Sequence, residues 1–206
     1  MWGLTKDEVS VLKKLKTPIE IQDYLDSLPM NHEKKGETLM SVRRVLREKK
    51  AHCIEGALVA AAALYLHGEP PLLLDLSADK KRYDDDDHVV ALYKRNGYWG
   101  AISKTNHATI RFRDPVYKTL RELALSYFHE WFMNKNGIKS MQSYSRPLNL
   151  KKFGTKWMTV EEDLWFLDTA LNSLPHYPLV PAKNRKFIRG ADVMELKAGR
   201  LIEWKE

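Results

Sequence analysis

The sequence predicts an α+β fold in which helices come first, antiparallel strands follow, and helices return at the end. Three observations carry that expectation. The first forty-odd residues hold three short amphipathic helical patterns. Ala57-Leu58-Val59-Ala60-Ala61-Ala62-Ala63-Leu64-Tyr65-Leu66 is apolar nearly all round, as a central helix buried on most sides would be. Asn96-Gly97 stands between two β-rich runs and is a strong short-range hairpin signal.

Val9, Leu12 and Leu15 recur at helical spacing within residues 5–16, with lysines on the opposite side. Thr17-Pro18-Ile19-Glu20 combines an N-cap Thr, a Pro at the first helical position and a Glu three residues after the cap. That helix is expected to run to Leu28 and stop at Pro29. A polar loop, Asn31 to Gly36, leads to a third helix over Leu39 to Arg47, with Val42, Val45 and Leu46 inward. The central helix opens at Cys53 and ends at His67-Gly68, where Gly is a suitable C-cap.

Pro70-Pro71 opens a core strand, Leu72 to Leu76, and Lys80 to Asp87 is a charged loop. His88 to Lys94 and Tyr98 to Ser103 form the hairpin. Thr109 to Arg113 alternates with period two and is expected as a further strand, closed by Asp114-Pro115. Leu120 to Phe132 and Glu161 to Leu174 are amphipathic helical runs. From Pro175 an extended segment is expected to wrap the domain, with a strand or hairpin around Gly199. The chain is read as one domain over 1–206: N-terminal helices 1–49, core helix and sheet 50–115, and helices with an extended segment 116–206.

Of the 206 residues, 44% are hydrophobic and 30% charged, which suits a globular chain rather than a disordered one. Met1-Trp2-Gly3-Leu4-Thr5-Lys6-Asp7-Glu8 turns charged at once, so no signal peptide is expected, and the Ala57–Leu66 run is too short for a membrane span. A single cysteine excludes an internal disulfide and fits a cytoplasmic location. The net charge of +7 permits attraction to polyanions, but the basic residues are scattered without a nucleic-acid-binding pattern, and a solvated basic face is the expectation. Asp84-Asp85-Asp86-Asp87 lacks the alternating spacing and Gly of a calcium loop and reads as a solvated loop. The run Tyr127 to Phe132 reads as helix core. No metal and no cofactor are expected.

A thiol at a helix start meets unpaired backbone N–H groups and the positive end of the helix dipole, which favour the nucleophilic thiolate. Thirty-five residues on, His88 begins a strand, and the hairpin returns the chain so that Ser103 ends beside it. Nucleophile, base and orienting group in that order make a Cys-based acyl-transfer arrangement, with N–H groups at the head of the helix available to an oxyanion.

Cys53-Ile54-Glu55-Gly56-Ala57, His88-Val89-Val90-Ala91-Leu92-Tyr93 and Gly97-Tyr98-Trp99-Gly100-Ala101-Ile102-Ser103 together resemble the transglutaminase-like branch of the papain-type cysteine fold. The resemblance covers residues 50–115. That family places Cys at the head of a central helix, His at a strand start and Asp shortly after the hairpin. The resemblance implies a central Cys-headed helix packed on an antiparallel sheet with flanking helices. It also implies a Cys-dependent hydrolase or acyltransferase acting on a peptide or protein amide, or a relative that has lost catalysis and binds peptides.

With Trp99 aligned to the family's Trp, Ser103 stands at the family's Asp. A hydroxyl can accept from an imidazole N–H but cannot stabilise imidazolium as a carboxylate does. Asn106 and Asp75 are the other candidates for the orienting group. His107 is a spare base, and Arg111 and Arg113 are candidates for a substrate carboxylate. His52, beside Cys53, is a candidate for tuning the thiol, but adjacency is expected to point the two side chains apart.

Overall fold

The structure is a computed structural model and describes residues 2–205. Three helices come first: α1 (Lys6–Lys14), α2 (Pro18–Asp26) and α3 (Val42–Glu48). Thr5 and Thr17 cap α1 and α2 through reciprocal bonds with Glu8 and Glu20, which satisfies donors that a bare helix end would leave open. The third helix starts later than expected. Ser41 caps it, while Leu39 and Met40 stay extended because their N–H groups donate to the Asp163 and Glu55 carboxylates at 2.9 Å each.

The central helix α4 (Cys53–Leu66) is 14 residues long and buried from Ile54 to Leu64. Gly56 lets the segment after β3 approach the helix closely: a Cβ there would lie 2.5 Å from the Lys104 Cβ.

A seven-stranded antiparallel sheet backs this helix. Its strands are β1 (Leu72–Ala78), β2 (His88–Arg95), β3 (Tyr98–Ile102), β4 (Arg113–Tyr117), β5 (Met141–Ser145), β6 (Leu148–Asn149) and β7 (His176–Pro178). They run in the order β4-β3-β2-β1-β5-β7, with β6 on β1. The central strands are apolar on both faces because both faces are covered. Leu73, Val89, Ala91, Tyr93 and Ile102 pack against the helical layer of α1–α4. The alternate residues Leu74, Leu76, Val90, Leu92 and Ala101 pack against Leu123, Ala124 and Tyr127 of α5 (Leu120–Phe128) and against Trp131.

The mixed architecture of antiparallel sheet and helices is α+β, as the sequence predicts. Three local expectations are corrected. Residues 109–112 are not a strand: Ile110 has φ 54°, and the strand begins at Arg113 and carries Pro115 at the sheet edge, where a missing N–H is tolerated. The helix at Leu120 ends at Phe128, beyond which Glu130 is drawn to Arg113 and the Ile110 N–H. Near Gly199 the chain forms a helix, not a hairpin, over Val193–Gly199, because Asp192 and Glu195 make a complete capping box. Two short helices, α6 (Lys156–Thr159) and α7 (Trp165–Asn172), complete the helical layer, and the Val193–Gly199 helix is α8. Among the described residues no helix is long and apolar enough to cross a membrane.

Candidate active site

Cys53 is the first residue of α4 and is half-buried. His88 begins β2 opposite Leu76, and β3 returns antiparallel to it, so that Ser103, the residue after β3, meets the imidazole. His88 Nε2 lies 2.7 Å from Ser103 Oγ, and Ser103 Oγ donates to the Ile110 carbonyl at 2.8 Å. A hydroxyl has one proton, and here it goes to Ile110. The Ser103 oxygen can therefore only accept from His88, which puts the imidazole proton on Nε2 and leaves Nδ1 as the basic nitrogen. The His88 side chain lines the same cavity as the Cys53 thiol and is one of the groups that favour its ionised form. Cys53 and the His88–Ser103 pair are thus brought to one cavity. Trp131 closes it on one side, its ring edge-on to His88 at 6.1 Å between centroids.

His52 is not splayed away from Cys53. As N-cap it has extended backbone (φ −99°, ψ −172°), so the helical geometry that separates adjacent side chains does not apply. Its ring lines the same cavity as the Cys53 side chain and favours the ionised thiol. Its Nε2 lies 2.9 Å from the Thr38 carbonyl and 3.3 Å from Glu55 Oε1. Glu55 is fully buried and accepts from the N–H groups of Met40 and His52 at 2.9 and 3.0 Å, from Thr38 Oγ1 at 2.9 Å and from Asn31 Nδ2 at 3.1 Å. A buried carboxylate is tolerated when its lone pairs are filled in this way.

These contacts set the charges. Burial alone would push the Cys53 thiol up, but hydrogen bonds and positive charge from His52 and His88 outweigh it and bring it down to about 5. Burial would likewise lower His52, and the Cys53 and Glu55 partners raise it to about 11. Glu55, pushed up by burial, is brought down to about 2 by His52 and the backbone donors.

The other sequence-derived candidates make their polar contacts with other groups, although Asn106 and His107 line the cavity of Cys53 and His88, and Asp75 the adjoining one. The Asn106 amide is taken up by the Trp204 backbone, with Nδ2 to its carbonyl and Oδ1 from its N–H at 2.8 Å each, and does not orient His88. Asp75 pairs with His176 at 2.9 Å. His107 Nδ1 is 2.9 Å from the Gly199 carbonyl. Arg111 pairs with Glu203 at 3.0 Å and Arg113 with Glu130 at 2.6 Å, so neither guanidinium is open to a substrate. The Asp84–Asp87 loop is more than a solvated face. Asp85 accepts from Ser140 and from the Trp131 indole, and Asp87 holds the Ala78 N–H and Lys80.

Two concavities meet at Cys53. One, of about 520 Å³, is walled by His88, Thr105, Trp131, Ile202 and Trp204. The other, of about 380 Å³, is walled by Thr38, His52, Asp168 and Trp165. Asp86 and Asp87 border both, so the thiol sits at the waist of a cleft that continues to either side. Sequence reasoning missed Trp131 as a wall of the site and the pairing of His52 with Glu55. The second had a signal, a Glu three residues after a helix-opening His, which is the spacing at which an N3 side chain returns to the cap.

No protein-family model matches the chain, and no curated protein matches it either.

Proposed function

We propose that this protein is a transglutaminase-like, Cys-dependent acyl-transfer enzyme acting on a peptide or protein amide. The observation that carries the reading is the His88–Ser103 hydrogen bond facing the same cavity as the Cys53 thiol, at the waist of a two-sided cleft. In this reading His88 Nδ1 takes the thiol proton, and the Cys53 thiolate attacks the amide carbonyl. The oxyanion is met by N–H groups at the head of α4. The His88 imidazolium then protonates the departing amine, leaving an acyl thioester on Cys53. In the second half His88 deprotonates the acceptor, water or an amine, and the thiolate leaves. A cleft open on both sides of the thiol suits a chain that enters one way and leaves the other.

A second reading keeps the cleft and drops the chemistry: a module that binds a peptide without turning it over. The neutral Ser103 favours it, because a hydroxyl whose proton is committed to Ile110 gives imidazolium less support than a carboxylate. The experiment that separates the two is a screen of peptide, amide and glutamine donors, with and without an amine acceptor, using Cys53→Ala and His88→Ala as controls. Turnover lost in both variants supports the enzyme. Binding of a peptide without turnover, unchanged by Cys53→Ala, supports the module.

A further inference from the structure

The site holds two imidazoles on one thiol, and they are built differently. His88 is braced by a neutral hydroxyl. His52 is braced by a carboxylate that the interior has fully enclosed. We propose that His52, held as imidazolium by Glu55, is the positioning residue that keeps Cys53 as thiolate, a role separate from the proton transfer done by His88. This rests on the acyl-transfer reading for its purpose, but not for its test.

The geometry surrounds the His52 ring with acceptors, which favours a cation there. Its Nε2 points at two acceptors, the Thr38 carbonyl at 2.9 Å and Glu55 Oε1 at 3.3 Å, so this nitrogen must carry a proton. A third acceptor, Glu33 Oε1, is 3.7 Å away. Four donors hold the Glu55 carboxylate, which keeps it ionised beside the ring. The other charges around the thiol do not cancel this pair. Asp87 is matched by Lys80 at 2.8 Å, Asp75 by His176 at 2.9 Å, and the Lys104 ammonium is turned to the Leu28 carbonyl at 2.5 Å. Exposed Asp86 faces the solvent side of the cleft, and Asp168 lies on α7 in the arm beyond His52.

The arrangement also accounts for Ser103. In a two-member Cys–His pair the imidazolium must supply the cation that stabilises the thiolate, and a carboxylate behind it helps. Here His52 supplies that cation, so His88 needs only to be oriented.

Cys53 is the one cysteine of the chain, so iodoacetamide labelling followed by mass reports on it alone. In the full-length protein the pH midpoint of labelling is expected far below that of an ordinary thiol. In His52→Gln it is expected to rise by about two pH units, which lowers the rate at pH 6 about tenfold. In His88→Ala it is expected to stay below the ordinary value while amide turnover disappears. A His52→Gln profile that superimposes on the wild type, or a His88→Ala variant that alone restores an ordinary thiol, overturns the proposal. If His52→Gln does not fold, nitrogen spectra of the wild-type imidazoles decide. The His52 ring is expected doubly protonated at pH 9, and a neutral ring there overturns the proposal. A low, His52-dependent midpoint in a protein without turnover supports this inference and counts against the enzyme. Turnover by a thiol indifferent to His52 does the reverse.

Discussion

Ser103 sits between His88 and Ile110 as a one-way relay, accepting from the imidazole at 2.7 Å and donating to the carbonyl at 2.8 Å. This direction decides what the position tolerates. Ser103→Ala is expected to lower kcat/KM by about ten- to a hundredfold, the equivalent of one hydrogen bond of about 1–3 kcal/mol. Ser103→Asp, the substitution that would complete a conventional triad on paper, is expected to destabilise the fold. A carboxylate cannot donate to Ile110, and the site is fully buried. Steady-state kinetics and urea unfolding of the two variants check both halves; a Ser103→Asp protein as stable as wild type and more active would show the direction to be wrong.

The His52–Glu55 pair gives stability a pH signature. Glu55 moves from 4.5 to about 2, so its contribution is complete above pH 4.5 and disappears as pH falls through 2. His52 moves from 6.5 to about 11, so its contribution is complete below pH 6.5 and disappears as pH rises through 11. The two overlap fully only between 4.5 and 6.5. Glu55→Gln is therefore expected to cost about 3–5 kcal/mol near pH 5.5, with the difference from wild type shrinking toward both extremes. Urea unfolding across pH measures it, and a difference that is flat with pH would remove the charge from the explanation.

Gly56 is required by packing. Ala would normally strengthen a helix interior by about 1 kcal/mol over Gly, yet its Cβ would stand 2.5 Å from Lys104 Cβ. Gly56→Ala is expected to destabilise by about 1–3 kcal/mol, since overpacking outweighs propensity. Thermal denaturation decides the sign.

Asn106 fastens the segment 201–204 to the rim of the cleft, where Ala108 and Glu203 also bond across. Asn106→Ala is expected to raise amide hydrogen exchange in residues 201–204 while leaving the Cys53 labelling profile unmoved. A shifted thiol profile would instead place Asn106 in the catalytic chain.

The parts of the site legible in the sequence are those set by local rules. The helix opening at Cys53, the strand opening at His88 and the Asn96-Gly97 turn each have a short-range signature, and pairing β2 with β3 then brings Ser103 to His88 without further information. What was not legible depends on distant partners. Residues 109–112 alternate like a strand, but Ile110 is held at φ 54° by the Ser103 hydroxyl on its carbonyl and the Glu130 carboxylate on its N–H. The strand Met141-Gln142-Ser143-Tyr144-Ser145 has only three weakly patterned polar positions, and its pairing with β1 supplies what its sequence lacks. His52 was misread by applying helical geometry one residue too early. The bond of Asn106 to Trp204, 98 positions away, has no local signature in the sequence.

Glu55 also reaches beyond the thiol. Its carboxylate gathers Asn31, Thr38 and Met40 from a stretch with little regular structure, so the group that pairs with His52 is also the peg on which the 31–40 loop hangs. This gives the site an uneven mutational landscape. A descendant could lose Cys53 and keep its shape, whereas losing Glu55 would loosen the cleft wall along with the charge. If the proposed acyl transfer holds, drift toward a binding-only form would erase the sulfur first and leave the acid behind, and a Glu without its Cys at the head of this helix would be its trace.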